Sequence, residues 1–308
     1  MTPVRMEYHQ KEQISNDKFL IKSQYPSPKL EIRNSKLDIA SSAYTLNLID
    51  TPGHIDFAYE VSRALKAVEG AVLLVDATQG VQAQTLSTLS LAQEAGLAIL
   101  PVVNKIDLPV ARVEETVNEL TELLKCPRSA VLKVSGKTGQ GVSVLLDAIV
   151  SSVPPPATDR SDLQALVFDF EYSTHQGIIL FIRVLGGKIA RGDRVRLSAL
   201  GMEFAALEVG TFSPSRVPRE LLGTGEIGYV VTGIKQSVHA TVGDTLVSAR
   251  SALPPLPGYE EPSPVVWASI YPESQDDFPA FRRALGRLQL EDSSLTFEEE
   301  TSGSLGRG

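Results

Sequence analysis

The sequence predicts a doubly wound α/β domain, then a small antiparallel β-barrel, then a short α+β piece. Three observations carry this. Between 44 and 152, short apolar runs alternate with amphipathic stretches, the pattern of a parallel sheet covered by helices. Pro154, Pro155 and Pro156 close that pattern, because proline cannot continue a helix and makes a stiff connector. From about 164 onward the apolar runs are short and separated by turns such as Gly186-Gly187 and Gly192-Asp193, as in an antiparallel barrel.

Residues 1–42 read as polar and poorly periodic. The runs 46–49, 71–75, 98–103 and 130–134 read as short buried parallel strands. Helical spacing joins Phe57, Val61, Ala64, Leu65 and Val68, then Val113, Val117, Leu120 and Leu124, then Val142, Leu145, Leu146 and Ile149. The barrel strands are expected at 165–170, 177–184, 194–197, 203–209, 228–232 and 245–247. A second proline-rich connector, 253–258, leads to a strand at Val265–Tyr271. Ser274 there can cap a helix carrying Phe278, Phe281, Leu285 and Leu288, and a further strand follows at Leu295–Glu299. The expected domains are 1–155, 156–252 and 258–308. The last is too short to bury much apolar surface alone and reads as part of an α+β domain.

The bulk properties exclude more than they assign. A formal net charge of -8 over 308 residues gives no global basic field for nucleic acid. The single cysteine, Cys126, cannot form an internal disulfide and fits a reducing compartment. No segment approaches the roughly eighteen apolar residues of a membrane span. The N-terminus lacks the apolar stretch of a secretory signal and contains Glu7, Glu12 and Asp17.

Two motifs at strand ends carry the chemistry. Asp50-Thr51-Pro52-Gly53-His54 follows the run 46–49. Asp50 can serve Mg²⁺ through water, and Gly53 lets a backbone N–H approach a γ-phosphate with no Cβ in the way. His54 then stands where it can orient the attacking water. Asn104-Lys105-Ile106-Asp107 follows the run 98–103. The Asp107 carboxylate can accept from both N1–H and N2–H₂ of guanine, a pattern adenine does not offer. Asn104 can bond the base and tie neighbouring loops, and the Lys105 stem can lie over the base plane. Ser135-Gly136-Lys137 follows the run 130–134, and its loop amides can meet the base oxygen. That last signal is weak alone and gains weight from being third in order. Together the motifs predict a P-loop-type GTPase domain binding GTP or GDP with Mg²⁺.

The phosphate cradle Gly-x-x-x-x-Gly-Lys-Ser/Thr is missing from this sequence. Gly136-Lys137-Thr138 is a decoy, since Val131 stands where the first glycine belongs, and residues 1–42 contain no glycine. The α/β domain is therefore expected to be incomplete. It should lack a first strand and helix, leave a neighbouring strand edge unpaired, and show no turnover as it stands. The four histidines, His9, His54, His175 and His239, show no metal-ligand spacing.

The order of these motifs resembles the translational GTPases, and finer strings resemble the LepA / elongation factor 4 family. These are Leu48-Ile-Asp-Thr-Pro-Gly-His-Ile-Asp-Phe57, Tyr59-Glu-Val-Ser-Arg63, Gln79-Gly-Val-Gln-Ala-Gln-Thr85, Val153-Pro-Pro-Pro156, Gly228-Tyr-Val-Val-Thr-Gly-Ile-Lys235, Leu256-Pro-Gly258 and Asp292-Ser-Ser-Leu-Thr-Phe297. The resemblance covers 44–308 and decays upstream, where Glu12-Gln13-Ile14-Ser15 stands in the register of the family's Arg-Gly-Ile-Thr switch. It implies catalysis by His54, a metal contact by Asp50, and nucleotide contacts by Asp50 to His54, Asn104, Lys105, Asp107 and Ser135 to Lys137. It implies a ferredoxin-like third domain, truncated here as the phosphate loop is at the other end. It implies ribosome binding (rRNA and tRNA-bound complexes), no DNA partner, and a cytoplasmic monomer, with peripheral membrane association or a mitochondrial matrix location as variants. The alternatives are a non-hydrolysing ribosome-binding module or another translational GTPase of the elongation factor G or BipA type.

Overall fold

The computed structural model describes residues 3–10, 43–51, 58–157, 160–234, 242–257, 268–291, 295, 297–302 and 306–307. The chain opens with a two-stranded antiparallel ladder, β1 (Pro3–His9) and β2 (Ala43–Ile49), with Pro3 opposite Ile49 and His9 opposite Ala43. This corrects two expectations. Pro3–His9 is a strand, because Val4, Met6 and Tyr8 alternate with Arg5, Glu7 and His9, the period of a pleated strand. The run 46–49 lies antiparallel to β1 and outside the parallel sheet. Its neighbour β1 satisfies one edge of its backbone groups with no crossover helix, which a parallel partner would require.

The α/β unit follows as α1 (Ala58–Leu65), β3 (Gly70–Asp76), α2 (Ala83–Glu94), β4 (Ala98–Asn104), α3 (Val113–Leu124), β5 (Leu132–Lys133) and α4 (Val142–Ser152). Strands β3, β4 and β5 form a parallel sheet in that order. Leu73, Val75, Val103, Val117 and Leu120 make its main core. Burial of such side chains contributes about 1.5–3 kcal/mol each. Helix α2 has no counterpart among the sequence expectations. Its only buried residues are Leu89 and Ala92, while Leu86 is exposed, so it carries a thin apolar stripe. Its start is held by the Gln82 N–H donating to Thr85 Oγ1 at 3.2 Å.

One side of this sheet stays open among the described residues. The outer edge of β3 pairs with no strand there, and neither does the second edge of β2. Val72 and Leu74 of β3 are exposed, and α4 has no buried residue although its sequence is apolar. A cleft of about 640 Å³ lies between β2 and β3, lined by Leu46, Leu48, Gly70, Val72, Ile149 and Val153 among others.

The second unit holds β6 (Gln164–Ser173), β7 (Gly177–Gly186), β8 (Lys188–Ala190), β9 (Arg194–Leu197), β10 (Met202–Ala205), β11 (Glu208–Ser213), β12 (Ser215–Arg219), β13 (Leu221–Gly223), β14 (Ile227–Val231) and β15 (Thr245–Ser248). Eight of them form one antiparallel sheet in the order β10-β9-β15-β6-β7-β14-β11-β12, and β8 pairs with β13. The expected strand 203–209 is two strands, because Ala206 leaves the sheet. Its N–H donates to Asp193 O at 2.9 Å, and its carbonyl accepts from Gly192 N at 2.7 Å. Strand β7 is buried on both faces. Ile178, Leu180, Ile182 and Val184 enter one core, and Ile179 and Phe181 enter the other. The second core also takes Ala67 and Ile49 from the preceding unit.

Two ion pairs reinforce that junction, Glu69 with Arg183, and Arg5 with Glu226 at 2.6 Å. The Arg63 guanidinium lies over Gly243, where an added Cβ would stand 2.2 Å from its Nη1. Gly243 also has φ +96, a conformation that glycine alone adopts freely.

The last segment contains a short 3-10 turn capped by Ser274, which accepts from Asp276 N at 3.3 Å. This runs into α5 (Phe278–Glu291), and a small ladder pairs β16 (Thr301–Ser302) with β17 (Gly306–Arg307). Residues 265–267 of the expected strand Val265–Tyr271 lie outside the described residues. Its end at 268–271 and the described part of Leu295–Glu299 carry no strand ladder. Extended segments need partners to become strands; here Tyr271 OH meets Glu300 Oε1 at 2.5 Å and Arg282 meets Glu299 at 2.8 Å through side chains instead. Limited proteolysis is expected to cut first within 151–160 or 250–258, at the proline-rich connectors. A first cut within 70–105, where Val75, Val102 and Val103 are buried, would contradict this layout.

Candidate functional site

The C-terminal ends of β3, β4 and β5 lie side by side, with Asp76 opposite Asn104 and Val103 opposite Lys133. Ligand loops in open α/β sheets gather at such ends. Asn104 ends β4, and its Oδ1 accepts from Lys105 N at 2.8 Å and from Gly136 N at 3.1 Å. One amide thus joins the loop after β4 to the loop after β5. The Ala77 N–H donates to the Asn104 carbonyl at 2.9 Å, which brings in the loop after β3.

Ser135 is fully buried. Its Oγ donates to Asp107 Oδ1 at 2.6 Å and accepts from Thr138 N at 3.1 Å. The Ser135 N–H donates to the Gln140 carbonyl at 2.9 Å, which folds 135–140 into a tight loop. Gly141 completes that loop with φ +75, and a Cβ there would lie 2.2 Å from Lys133 O. Gly136 and Lys137 face solvent.

Both carboxylates of this cluster stay ionised to low pH. The Ser135 hydrogen bond holds Asp107 below the usual carboxylate range against the upward push of desolvation, helped by its own backbone N–H and the Lys137 charge. Desolvation also pushes Asp76 upward. Hydrogen bonds from Lys105 and Thr78 outweigh it, so its pKa is lowered. Groups lowered in the fold add stability above their ordinary pKa of about 3.9, and lose it as pH falls through the lowered value. The cluster is therefore intact throughout the neutral range.

Of the residues singled out by sequence, Asn104, Lys105, Asp107, Ser135 and Gly136 form one connected cluster, with Lys137 beside it. Asp50 and Thr51 follow β2, in the separate ladder, and among the described residues no hydrogen bond joins them to this cluster. Pro52, Gly53 and His54 lie outside the described residues. Sequence reasoning missed Asp76 and Thr78. Asp76 Oδ2 pairs with Lys105 Nζ at 2.6 Å, and Thr78 donates to Asp76 Oδ1 through N–H and Oγ1, each at 2.8 Å. The available signal was an aspartate directly after the apolar run 71–75, at a strand end.

Comparison with known proteins places this cluster in context. The family model of the elongation factor Tu GTP binding domain matches residues 22–155. Elongation factor 4 of Rubrobacter xylanophilus is 53% identical over 260 residues, which is 84% of this chain and 43% of that protein. Elongation factor 4 of Bifidobacterium animalis subsp. lactis is 49% identical over 267 residues, 86% of this chain and 43% of that protein. The chain belongs to the elongation factor 4 family. Elongation factor 4 of Parabacteroides distasonis is 48% identical over 275 residues, 89% of this chain and 46% of that protein. The chain spans less than half the length of these elongation factor 4 relatives. Among the described residues no helix is long and apolar enough to cross a membrane.

Proposed function

We propose that this chain carries the guanine-binding half of a translational GTPase of the elongation factor 4 type, one that works in the cytoplasm on the ribosome. The cluster of Asp107, Ser135, Asn104 and Gly136 is the observation that supports this best. Asp107, aimed by Ser135, accepts from N1–H and N2–H₂ of guanine. Asn104 holds the loops on either side of the base, and the amides at Gly136 and Lys137 meet the base oxygen. The Lys105 stem covers the base plane. The acceptor pattern of Asp107 fits guanine, because a carboxylate kept ionised by its neighbours offers only acceptors.

The phosphate end rests on sequence. Asp50 is placed to hold Mg²⁺ through water, with Thr51 and Pro52 shaping the turn. The bound Mg²⁺ would offset charge on the phosphates. The Gly53 amide donates to the γ-phosphate, and His54 orients the water that attacks it. This GTP hydrolysis would accompany tRNA movement and translational fidelity on the ribosome. In this reading the domains are 1–155, a β-barrel at 156–252, and part of a ferredoxin-like domain at 258–308.

The 308-residue chain by itself is proposed to be a weak guanine binder without turnover. The open cleft beside β3 and the lack of a glycine loop in this sequence favour that reading. The experiment for the base site is Asp107→Asn in a form of the chain fused to a glycine phosphate loop. GDP should weaken by about 2–4 kcal/mol, and preference should move toward xanthine, whose extra carbonyl suits an amide donor. GDP affinity equal to that of the unaltered fusion would remove Asp107 from the site.

A further inference from the structure

Lys105 is held more tightly than a surface lysine usually is. Its backbone has φ +62, a conformation that side-chain-bearing residues adopt at a cost. Its N–H is taken by Asn104 Oδ1 at 2.8 Å. Its ammonium pairs with Asp76 Oδ2 at 2.6 Å, although half of the Lys105 side chain is exposed. Asp76 is itself fixed, since Thr78 occupies its other oxygen with two donors at 2.8 Å. The loop beyond is anchored at Ala77, whose N–H donates to Asn104 O at 2.9 Å and whose carbonyl accepts from Arg112 N at 2.7 Å. A lysine stem with four rotatable bonds samples many rotamers. A fixed backbone at one end and a fixed carboxylate at the other leave it few.

We propose that Asp76 is a positioning residue for the guanine site: it tethers the Lys105 ammonium so that the Lys105 stem is already laid out as a platform for the base. The proposal rests on the guanine reading above. It adds a residue on a different strand, and it gives that residue a role through Lys105 and not through the base edge. Asp76 touches no nucleotide. Its effect should fall equally on any purine held by Asp107, because edge recognition and platform are separate contacts. That separates it from a general loosening of the loops, which would spoil the edge contact too.

The test is a double-mutant cycle on the 308-residue chain, titrated with GDP and with IDP, which lacks the 2-amino group. The variants are D76N, K105M and D76N/K105M. D76N should weaken GDP and IDP alike by about twofold to fivefold, the range of a partly exposed ion pair. The GDP-to-IDP ratio should stay at its unaltered value. In the K105M background, D76N should cost nothing further. An unchanged D76N affinity, losses that multiply in the double variant, or a fallen GDP-to-IDP ratio would each overturn the tether. Absence of any GDP binding by the unaltered chain would instead overturn the guanine reading, and this proposal with it. If D76N does not fold, the ¹⁵N signal of the Lys105 ammonium in the unaltered chain decides. A resonance protected from exchange supports the tether, and a freely exchanging one overturns it.

Discussion

Calorimetric titration of the 308-residue chain with GDP is expected to show micromolar or weaker binding, and incubation with GTP should release no measurable phosphate. Phosphate affinity in such sites comes from a ring of backbone N–H groups, a lysine and a helix N-terminus. This sequence has no Gly-x-x-x-x-Gly-Lys-Ser/Thr to provide them. In the proposed site Asp50 would offer a water-mediated metal contact and Gly53 one donor. The linked residues Asn104, Lys105, Asp107 and Ser135 would there address the base alone. Each missing charge-assisted hydrogen bond is worth about 1.5–3 kcal/mol, so losing several costs orders of magnitude in affinity. The edge of β3 that is open among the described residues and the exposed Val72 and Leu74 point the same way, since an unpaired strand edge beside apolar surface lowers stability as well. Fusing a strand, glycine loop and helix ahead of the chain should restore tight binding. Nanomolar GDP affinity in the unfused chain would contradict the account and place a phosphate site elsewhere in its residues.

In that fused form, His54→Ala is expected to slow ribosome-stimulated GTP hydrolysis by roughly 10²–10⁴, the usual contribution of a positioned proton-transfer group. GTP affinity should barely change, because the histidine acts on the attacking water and not on the ground-state nucleotide. Single-turnover rates and equilibrium titration on the same samples separate the two quantities. Equal losses in binding and turnover would show that His54 supports the turn at 50–54 and not the reaction.

The meeting of Asn104, Lys105, Asp107, Ser135 and Gly136 was legible in the sequence because their motifs are local. Asn104 and Asp107 sit three residues apart after a buried strand, and Ser135 follows the next one, so the order of motifs already implied their meeting. Asp76 was not legible in that way. Its partner Lys105 comes from the loop after the neighbouring strand, and the pair forms only through the β3–β4 register that sets Asp76 opposite Asn104. The two-stranded ladder shows a similar limit. The alternation of Val4, Met6 and Tyr8 is a strand signal, yet nothing local says that β1 will pair with β2 across residues 11–42. Helix α2 escaped because two buried side chains, Leu89 and Ala92, leave too thin a stripe for periodicity to find. In the antiparallel sheet, Ala206 sits inside an apolar run, and only its bonds to Asp193 and Gly192 reveal the break between β10 and β11.

The central claim is that the cluster at the ends of β4 and β5 reads guanine. The most direct measurement is a paired titration of the unaltered chain with GDP and ADP, followed by the backbone amide resonances of Asn104, Lys105, Asp107, Ser135 and Gly136. GDP is expected to shift these resonances saturably while ADP at the same concentration leaves them in place, because the ionised Asp107 finds no pair of donors on adenine. Equal shifts with both nucleotides, or none with GDP, would contradict it.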